Sequence, residues 1–259
     1  MSQILLVTGG SRGIGAAVCR RAAKEGYSVA VNFHRDLISA NYVVDDITND
    51  GRIAFTAEAD VSLEADIIRM FDEVTERLGA PSGLVNSAGV GGKHMLISDL
   101  EKIELDQLMQ VNVIGTMLCC REASRRMSTQ FGGSGGSIVN VSSMASTIGG
   151  RPGNSAYAAS KAAVDAFTVG FAKEIGTQGI RVNAVRPGVT LTDMTSTVRD
   201  NENVRKNIES TIAMQRTADA DEIAVPILWC LSDEASFISG CRLDASGGGF
   251  VTDASTSGK

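Results

Sequence analysis

Tyr157 and Lys161 are the two residues of this sequence whose types and spacing best suit proton chemistry. They lie four positions apart in the segment YAASK, a spacing that places both side chains on one face of a helix. A phenol has an ordinary pKa of about 10, and a neighbouring ammonium lowers that pKa by favouring the phenolate. The pair indicates a general acid/base that exchanges a proton with a carbonyl or alcohol oxygen. Isolated pairs of this kind also occur on ordinary exposed helices, so the assignment depends on the rest of the chain.

A glycine-rich turn near the start of the chain indicates where an anionic ligand would bind. It lies between an apolar run and a helical pattern and reads Thr8-Gly9-Gly10-Ser11-Arg12-Gly13-Ile14-Gly15. NH groups at a helix N-terminus bind phosphate in this position. Gly9 allows a sharp turn, Gly13 lets the backbone approach a phosphate, and Gly15 permits close packing of helix on strand. The spacing differs from the commoner GxGxxG, and a glycine turn alone is also compatible with a merely structural loop.

The elements that must position these residues alternate between strand and helix along the whole chain. Apolar runs predict strands at 4–7, 29–31, 53–57, 84–86, 137–141, 180–185 and 241–244, and amphipathic patterns predict helices at 14–25, 37–50, 67–78, 103–127, 157–175 and 222–231. We therefore expect an α/β fold, a Rossmann-type doubly wound parallel sheet of about seven strands with helices on both faces. Residues 1–259 would form one domain, with a cofactor-binding and catalytic core at 1–190, a substrate lid at 190–215 and a C-terminal helix and strand at 216–259.

Several further motifs follow the predicted strands in a fixed order. They are Asp60-Val61, Asn86-Ser87-Ala88-Gly89, Asn112, Ser143, the YAASK segment and Arg186-Pro187-Gly188. Together with the glycine turn they make this sequence resemble the short-chain dehydrogenase/reductases over nearly its whole length, up to Ser239-Gly240 and Gly247-Gly248. Two details depart from the common pattern: Ser87 stands where asparagine is more frequent, and Ser143 precedes Tyr157 by fourteen positions.

The resemblance implies a catalytic set of Asn112, Ser143, Tyr157 and Lys161. Ser143 would hold the reacting oxygen, and the loop length favours it over Ser142. Lys161 would also bond the nicotinamide ribose, and Asn112 would hold a water that passes protons to it. Asn112 could equally be a buried helix amide that bonds a neighbouring backbone. The expected activity is hydride transfer between a carbonyl and a secondary alcohol.

The resemblance also implies a shell of cofactor contacts. In addition to Tyr157 and Lys161, the expected residues are Thr8, Gly9, Ser11, Arg12, Gly13, Ile14, Gly15, Phe33, His34, Arg35, Asp60, Val61, Asn86, Ser87, Ala88, Gly89, Pro187, Gly188, Val189 and Thr192. No acidic residue stands at the predicted end of the second strand to bond a ribose hydroxyl, and Arg12 and Arg35 supply cations for a phosphate. We therefore expect NADP(H) rather than NAD(H), although Asp36 weakens this expectation if the strand ends later.

Composition restricts the partners to small molecules and copies of the chain. The formal net charge is −6 and there is no stripe of lysine and arginine, so nucleic acid is not an expected partner. The cysteines show no metal-ligand spacing, and no metal is expected at Cys19, Cys119, Cys120, Cys230 and Cys241. Neither a secretory signal nor a membrane span is predicted, which favours the cytoplasm. The resemblance implies a homodimer or homotetramer, built on the helices at 103–127 and 157–175.

Other functions remain to be tested. Residues 132–136 match GxSxG, but a nucleophile elbow needs a strand before the serine, and here the strand follows. An NAD-dependent sugar or alcohol dehydrogenase of the same family and a non-catalytic nucleotide-binding regulator are the alternatives. The pocket segments at 90–97, 144–156 and 190–214 carry no specific charged signature and suggest a moderately apolar substrate. The polar span after Thr192 predicts a mobile lid that orders over bound ligand.

Overall fold

The apolar runs of the sequence form one parallel sheet in the computed structural model, which describes residues 3–249. Its strands are β1 (Ile4–Thr8), β2 (Ser28–Phe33), β3 (Ala54–Glu58), β4 (Gly83–Asn86), β5 (Gly136–Val141), β6 (Ile180–Pro187) and β7 (Arg242–Ala245). Their spatial order is β3-β2-β1-β4-β5-β6-β7, and every neighbouring pair is parallel. The predicted seven-stranded, doubly wound sheet is confirmed.

The strand order reverses at β1, which pairs with β2 on one side and with β4 on the other. The connections that leave these two strands therefore run to opposite sides, which opens a crevice at the carboxyl edge of the sheet. Both the glycine-rich turn after β1 and the motif after β4 lie at this edge. The sheet topology places the two predicted binding segments next to each other.

Helices cover both faces of the sheet. They are α1 (Gly13–Lys24), α2 (Leu37–Asn49), α3 (Glu64–Leu78), α4 (Lys102–Met109), α5 (Thr116–Met127), α6 (Ala145–Ile148), α7 (Ser155–Ile175), α8 (Ser196–Asp200), α9 (Glu202–Glu209) and α10 (Ala220–Leu231). α1 and α10 pack on one face with buried residues such as Ala22 and Ile227. α3, α5 and α7 pack on the other face around Phe71 and Ile175. Over residues 3–249, no helix is long and apolar enough to cross a membrane.

The long helix predicted at 103–127 is present and continuous, but it is not α-helical throughout. A π-helical turn at Gln110–Gly115 separates α4 from α5. A Cβ added to Gly115 would lie 2.4 Å from the carbonyl oxygen of Val61, so the helix approaches the loop after β3 at backbone distance. The prediction of a long helix is confirmed, but apolar periodicity alone does not report the π-helical turn within it.

The segment expected to be a lid is more ordered than its polar composition suggested. It contains α8 and α9, and it has a small apolar cluster of its own, formed by Val198, Ile208 and Ile212. Val189 and Leu191 from the preceding loop pack against this cluster. The segment therefore has the structure of a small cap that could move as a unit, and its movement over a ligand stays a prediction.

Arg181 at the start of β6 binds the end of α10. Its guanidinium donates to the carbonyl oxygens of Cys230, Leu231 and Ser232 at 2.7, 3.0 and 3.0 Å. These are the carbonyl groups that a helix leaves without intrahelical partners at its C-terminus. A cation there also interacts favourably with the helix dipole.

We expect Arg181→Met to lower the free energy of unfolding by about 2–4 kcal/mol, because several partly buried carbonyl groups lose a charged donor. The melting temperature should fall by roughly 5–10 °C in a thermal denaturation scan. Arg20→Met is the matched control, since Arg20 pairs with Asp46 at 2.7 Å on the exposed surface. Its effect should stay within about 1 kcal/mol. Equal melting temperatures for the two variants would contradict the assigned role of Arg181.

Candidate active site

The glycine-rich turn has a backbone that side chains would obstruct. Gly9 and Gly13 have φ angles of +63° and +53°, in the left-handed region. A Cβ on Gly15 would lie 2.3 Å from the Gly9 carbonyl oxygen, and one on Gly9 would lie 2.8 Å from the Cα of Ala88. α1 begins directly after the turn, and the side chain of its N-cap residue, Arg12, makes no capping hydrogen bond. This cradle fits the pyrophosphate of a dinucleotide, whose oxygens would accept from the first NH groups of α1.

The turn after β1 and the loop after β4 form one continuous surface. Thr8 Oγ1 accepts hydrogen bonds from the backbone NH groups of Ser87 and Ala88 at 3.1 and 3.2 Å. Ser11 and Ile14 are partly exposed on the same turn. The structure therefore brings these predicted cofactor contacts to one place.

Asn32 hydrogen-bonds the backbone of the glycine-rich turn and was missing from the predicted site. Its side-chain oxygen accepts from the Gly9 NH at 3.0 Å, and its amide nitrogen lies 3.1 and 3.2 Å from the carbonyl oxygens of Ala57 and Ala59. Asn32 is buried, and it thereby ties together the carboxyl ends of β1, β2 and β3. A polar residue inside a buried apolar strand was the signal that could have revealed it.

The side chain of Asn86 points away from the edge of the sheet. Its amide donates to Asn140 Oδ1 at 2.9 Å within the core. The Asn86 side chain is therefore not available to a ribose, and the contact of this motif's backbone with a ribose stays a prediction. At its end, a Cβ on Gly89 would lie 3.3 Å from Asn112 Oδ1 and 3.5 Å from Lys161 Nζ. Gly89 thus lies beside two members of the predicted catalytic set.

The surroundings of Arg12 are more acidic than the sequence suggested. Its guanidinium lies 3.9 Å from Asp36 and 3.6 Å from Asp193. β2 ends at Phe33, two residues later than predicted, which brings Asp36 close to the binding edge. Asp36 caps α2, and hydrogen bonds from Ser39 hold the pKa of this carboxyl below its usual value. Because β2 ends later than predicted, Asp36 weakens the expectation of NADP(H).

Several predicted cofactor contacts lie together at the ends of β2 and β3. His34 Nε2 lies 3.4 Å from Asp60 Oδ2. Arg35 is exposed, whereas Val61 is buried. Phe33 is also buried and packs in the core, so its backbone rather than its ring faces the edge.

Tyr157 and Ser143 are neighbours at the carboxyl edge of the sheet. Burial disfavours the phenolate and leaves the pKa of Tyr157 above its usual value, although the neighbouring Ser143 side chain acts to lower it. Ser142 is turned away and donates to the carbonyl oxygen of Lys161 at 3.1 Å. The structure therefore places Ser143, rather than Ser142, beside the phenol.

Lys161 is buried on the same face of α7. Its ammonium donates to the carbonyl oxygen of Val141 at 2.9 Å and lies 5.9 Å from the centroid of the Tyr157 ring. Burial lowers the pKa of Lys161 to about 8, and the charge of Asp165 acts in the opposite direction. The sequence predicted that Lys161 lowers the pKa of Tyr157. In the structure, burial of the phenol raises this pKa by more than its neighbours lower it.

Asn112 lies in the π-helical turn and is fully buried. Its side chain accepts from the Val90 NH at 2.8 Å and donates to the Val90 carbonyl oxygen at 2.9 Å. It also donates to Ser160 Oγ at 3.1 Å. Of the two interpretations left open by the sequence, the structure shows the amide bonding a neighbouring backbone. The water-holding role remains a prediction.

The loop after β6 closes the other side of the crevice. Pro187 ends the strand, and Gly188 follows it. Val189 packs against the apolar cluster of the cap. A Cβ on Gly13 would lie 3.2 Å from Thr192 Cγ2, so Thr192 faces the glycine-rich turn.

Two cavities adjoin the loop that carries Ser143 and the helix that carries Tyr157. The smaller, about 20 Å³, is lined by Tyr157, Met95, Ile97, Leu100, Glu104 and Leu108. It has room for roughly one water molecule. The larger, about 700 Å³, is lined by Met144, Val189, Ile212, Met214 and Arg216. The predicted pocket segments therefore contribute mainly apolar side chains.

The hydrolase alternative finds no support in this geometry. Ser134 lies in an exposed loop, and β5 follows it instead of preceding it. Among residues 3–249, no cluster of three or more histidine, cysteine, aspartate or glutamate side chains could hold a metal ion.

Comparisons with known proteins agree with the sheet and the order of motifs. A family model described as enoyl-(acyl carrier protein) reductase matches residues 9–249. The chain is 44% identical over 245 residues to the uncharacterized oxidoreductase YgfF of Escherichia coli (strain K12), covering 95% of this chain and 99% of that protein. It is 37% identical over 248 residues to a human 3-oxoacyl-[acyl-carrier-protein] reductase, covering 96% and 98% of the two chains.

Solved structures give the same result. A dehydrogenase/reductase from Sinorhizobium meliloti 1021 superposes with a TM-score of 0.87 at 34% identity, covering 95% of this chain and 94% of the other. A short-chain dehydrogenase/reductase from Serratia marcescens BCRC 10948 superposes with a TM-score of 0.87 at 30% identity, covering 95% and 97%. This chain therefore belongs to the short-chain dehydrogenase/reductase family of NAD(P)-dependent oxidoreductases.

Proposed function

We propose that this protein is an NADP(H)-dependent oxidoreductase that interconverts a carbonyl and a secondary alcohol, with Tyr157 as the general acid/base. The observation that carries the proposal is the placement of Ser143 next to Tyr157 beside the buried Lys161. All three lie at the edge that also holds the glycine-rich turn. When bound there, the nicotinamide supplies or accepts the hydride.

The proton chemistry follows from the environment of the phenol. Because burial raises the pKa of Tyr157, its hydroxyl is protonated near neutral pH and suits donation to a carbonyl oxygen. Ser143 would hold that oxygen by a hydrogen bond. The Lys161 ammonium would stabilise the phenolate left behind and bind the ribose hydroxyls. Asn112 would complete a proton relay through a water. The arrangement favours carbonyl reduction, and alcohol oxidation would use the same groups in reverse.

The substrate would enter between the cap and the loop after β4. The linings of both cavities are mainly apolar, with Met95, Ile97, Met144 and Met214 among them. Relatives that are 33–37% identical are named 3-oxoacyl-[acyl-carrier-protein] reductases. A 3-oxoacyl thioester is therefore the first carbonyl compound to test, followed by ketones, quinones, sugars and steroids.

Assembly as a homodimer or homotetramer in the cytoplasm forms part of the same proposal. Apolar side chains are exposed at Ile103 on α4, at Ile114 in the π-helical turn and at Met117 on α5. On α7, the partly exposed Phe167 stacks on the buried Phe171 with ring centroids 5.1 Å apart. These are surfaces that a second copy of the chain would cover.

The cofactor preference rests on the end of β2. No acidic residue stands at Phe33, and Arg12 and Arg35 are cations that could bind a ribose phosphate. Asp36 opposes this preference because it lies 3.9 Å from Arg12. We expect the unmodified protein to have a higher kcat/KM with NADPH than with NADH on one substrate. Equal or better use of NADH would favour the NAD-dependent sugar or alcohol dehydrogenase instead.

Arg35→Asp should reverse this preference, because Arg35 is exposed just after β2 and could contact a ribose phosphate. A carboxylate at this position would repel a ribose phosphate by about 3 kcal/mol, which corresponds to a roughly 100-fold change in the NADPH to NADH ratio of kcat/KM. Arg35→Asn has the same shape as Arg35→Asp without the negative charge, and it controls for loss of the Arg35 cation. If Asn and Asp changed the ratio equally, repulsion of a phosphate would not be the cause.

A further inference from the structure

Asp165 is a buried carboxylate that the proposed chemistry does not use. It lies four residues after Lys161 on α7, so the two side chains lie one turn apart on the same face. Its side chain is only 7% exposed. Oδ2 lies 2.6 Å from Ser146 Oγ and 3.6 Å from the Arg186 guanidinium. Oδ1 is buried without a hydrogen-bond partner in the described part of the chain. Such a partly compensated carboxylate is costly to bury.

The charges around Asp165 come from three elements. Lys161 lies on its own helix, Arg186 lies on β6, and Asp244 on β7 pairs with the same guanidinium. α6 contributes the Ser146 hydroxyl and no titratable group. Because Arg186 is shared with Asp244, it does not neutralise Asp165 alone. Lys161 lies one helical turn from this incompletely neutralised carboxylate, whose charge would favour the ammonium form against the effect of burial.

Asp165 is also linked to the loop that carries Ser143. Ser146 Oγ lies 2.7 Å from the Ser143 carbonyl oxygen and 2.6 Å from Asp165 Oδ2. A hydroxyl has one proton to donate, so the two acceptors share it. Through this single group, Asp165 contacts the backbone that positions Ser143.

We propose that Asp165 is a positioning residue, whose charge keeps Lys161 in its ammonium form and whose bond to Ser146 fixes the Ser143 loop. The inference rests on the proposed function for its catalytic consequence. Its electrostatic part concerns Lys161 alone and can be measured without turnover.

The direct test is a titration of Lys161 in the full-length protein. Lysine side chains are labelled with ¹³C, and the Lys161 signal is assigned by its absence in Lys161→Met. In Asp165→Asn, the Lys161 pKa should fall by about one pH unit or more, since a neighbouring opposite charge is lost. Asp165→Glu should retain most of the original value. Ser146→Ala removes a hydrogen bond without removing charge, and Asp244→Asn removes a carboxylate on β7. Both variants should shift the Lys161 pKa much less than Asp165→Asn does. An unchanged Lys161 titration in Asp165→Asn would overturn the inference.

The kinetic test separates charge from loop positioning. In alcohol oxidation, the acidic limb of kcat/KM reports formation of the phenolate. Asp165→Asn should move this limb to higher pH by about one unit, because Tyr157 loses the support of a charged Lys161. Ser146→Ala should lower the rate at every pH without moving the limb. A uniform loss of rate in Asp165→Asn with no shift would contradict the electrostatic role.

The outcomes keep this inference apart from the proposed function. No turnover by the unmodified protein would count against the function, and the Lys161 titration would still decide the inference. Turnover with an unshifted Lys161 would overturn the inference alone. If thermal melts show that Asp165→Asn does not fold, Arg186→Gln tests the same electrostatic effect by removing a positive charge instead of a negative one. It removes the competing cation and should raise the Lys161 pKa, whereas a fall or no change would contradict the proposal.

Discussion

Tyr157→Phe is expected to lower turnover by about 1,000-fold or more while cofactor binding persists. The variant keeps the ring and its packing and removes only the hydroxyl that exchanges a proton with the substrate oxygen. The dissociation constant of NADPH, measured by fluorescence titration, should change by less than about threefold. The rate is measured as NADPH consumption with the best carbonyl compound of the panel.

Tyr27→Phe is the matched control for this experiment. Tyr27 is buried in the core beside α1, away from the sheet edge that carries the site. Its loss of a hydroxyl should leave kcat within a few-fold of the original. Unchanged turnover in Tyr157→Phe would contradict the assigned acid/base. Cofactor binding by the unmodified protein, without consumption of cofactor on any carbonyl of the panel, would favour the regulator alternative.

Gly15→Ala is expected to weaken NADPH binding by about 100-fold, or about 3 kcal/mol. The new Cβ would lie 2.3 Å from the Gly9 carbonyl oxygen, a backbone atom that cannot move aside without changing the turn. The NH groups that would face the pyrophosphate then lose their alignment. Isothermal titration with NADPH measures the effect, and a melting curve confirms that the variant folds.

Gly26→Ala separates this effect from general backbone strain. Gly26 has a φ of +97° at the end of α1, and an added Cβ meets no atom within 4 Å. The substitution should therefore cost stability by about 1–2 kcal/mol and leave the NADPH affinity unchanged. Equal losses of affinity in the two variants would show that the turn is not the phosphate site.

The sheet was predictable because its signals are local and repeated. Continuous apolar runs such as 4–7 and 29–31 are typical of strands that are covered on both faces of a parallel sheet. The π-helical turn was not predictable, because it depends on the contact between Gly115 and Val61. The predicted strands also ended too early, at residues 31 and 185, whereas β2 and β6 end at Phe33 and Pro187. The polar residues Asn32 and Arg186 belong to these strands and not to the loops that follow them.

The positions of the candidate catalytic residues followed from motif order, but their electrostatics did not. The sequence indicated that Tyr157 and Lys161 share a helix face. How deeply the phenol is buried depends on neighbouring elements, and that burial sets the direction of its pKa. Asn32 and Asp165 escaped notice for a similar reason, because their partners lie on other strands or helices. A local pattern contains no information about such partners.

Transfer of deuterium from cofactor to product tests the central claim most directly. The protein is incubated with NADPH in which both hydrogens at C4 are replaced by deuterium and with the carbonyl compound that it reduces best, and the alcohol is analysed by mass spectrometry. The account predicts one deuterium on the former carbonyl carbon, with label transfer abolished in Tyr157→Phe. An alcohol formed without cofactor deuterium at that carbon would contradict it.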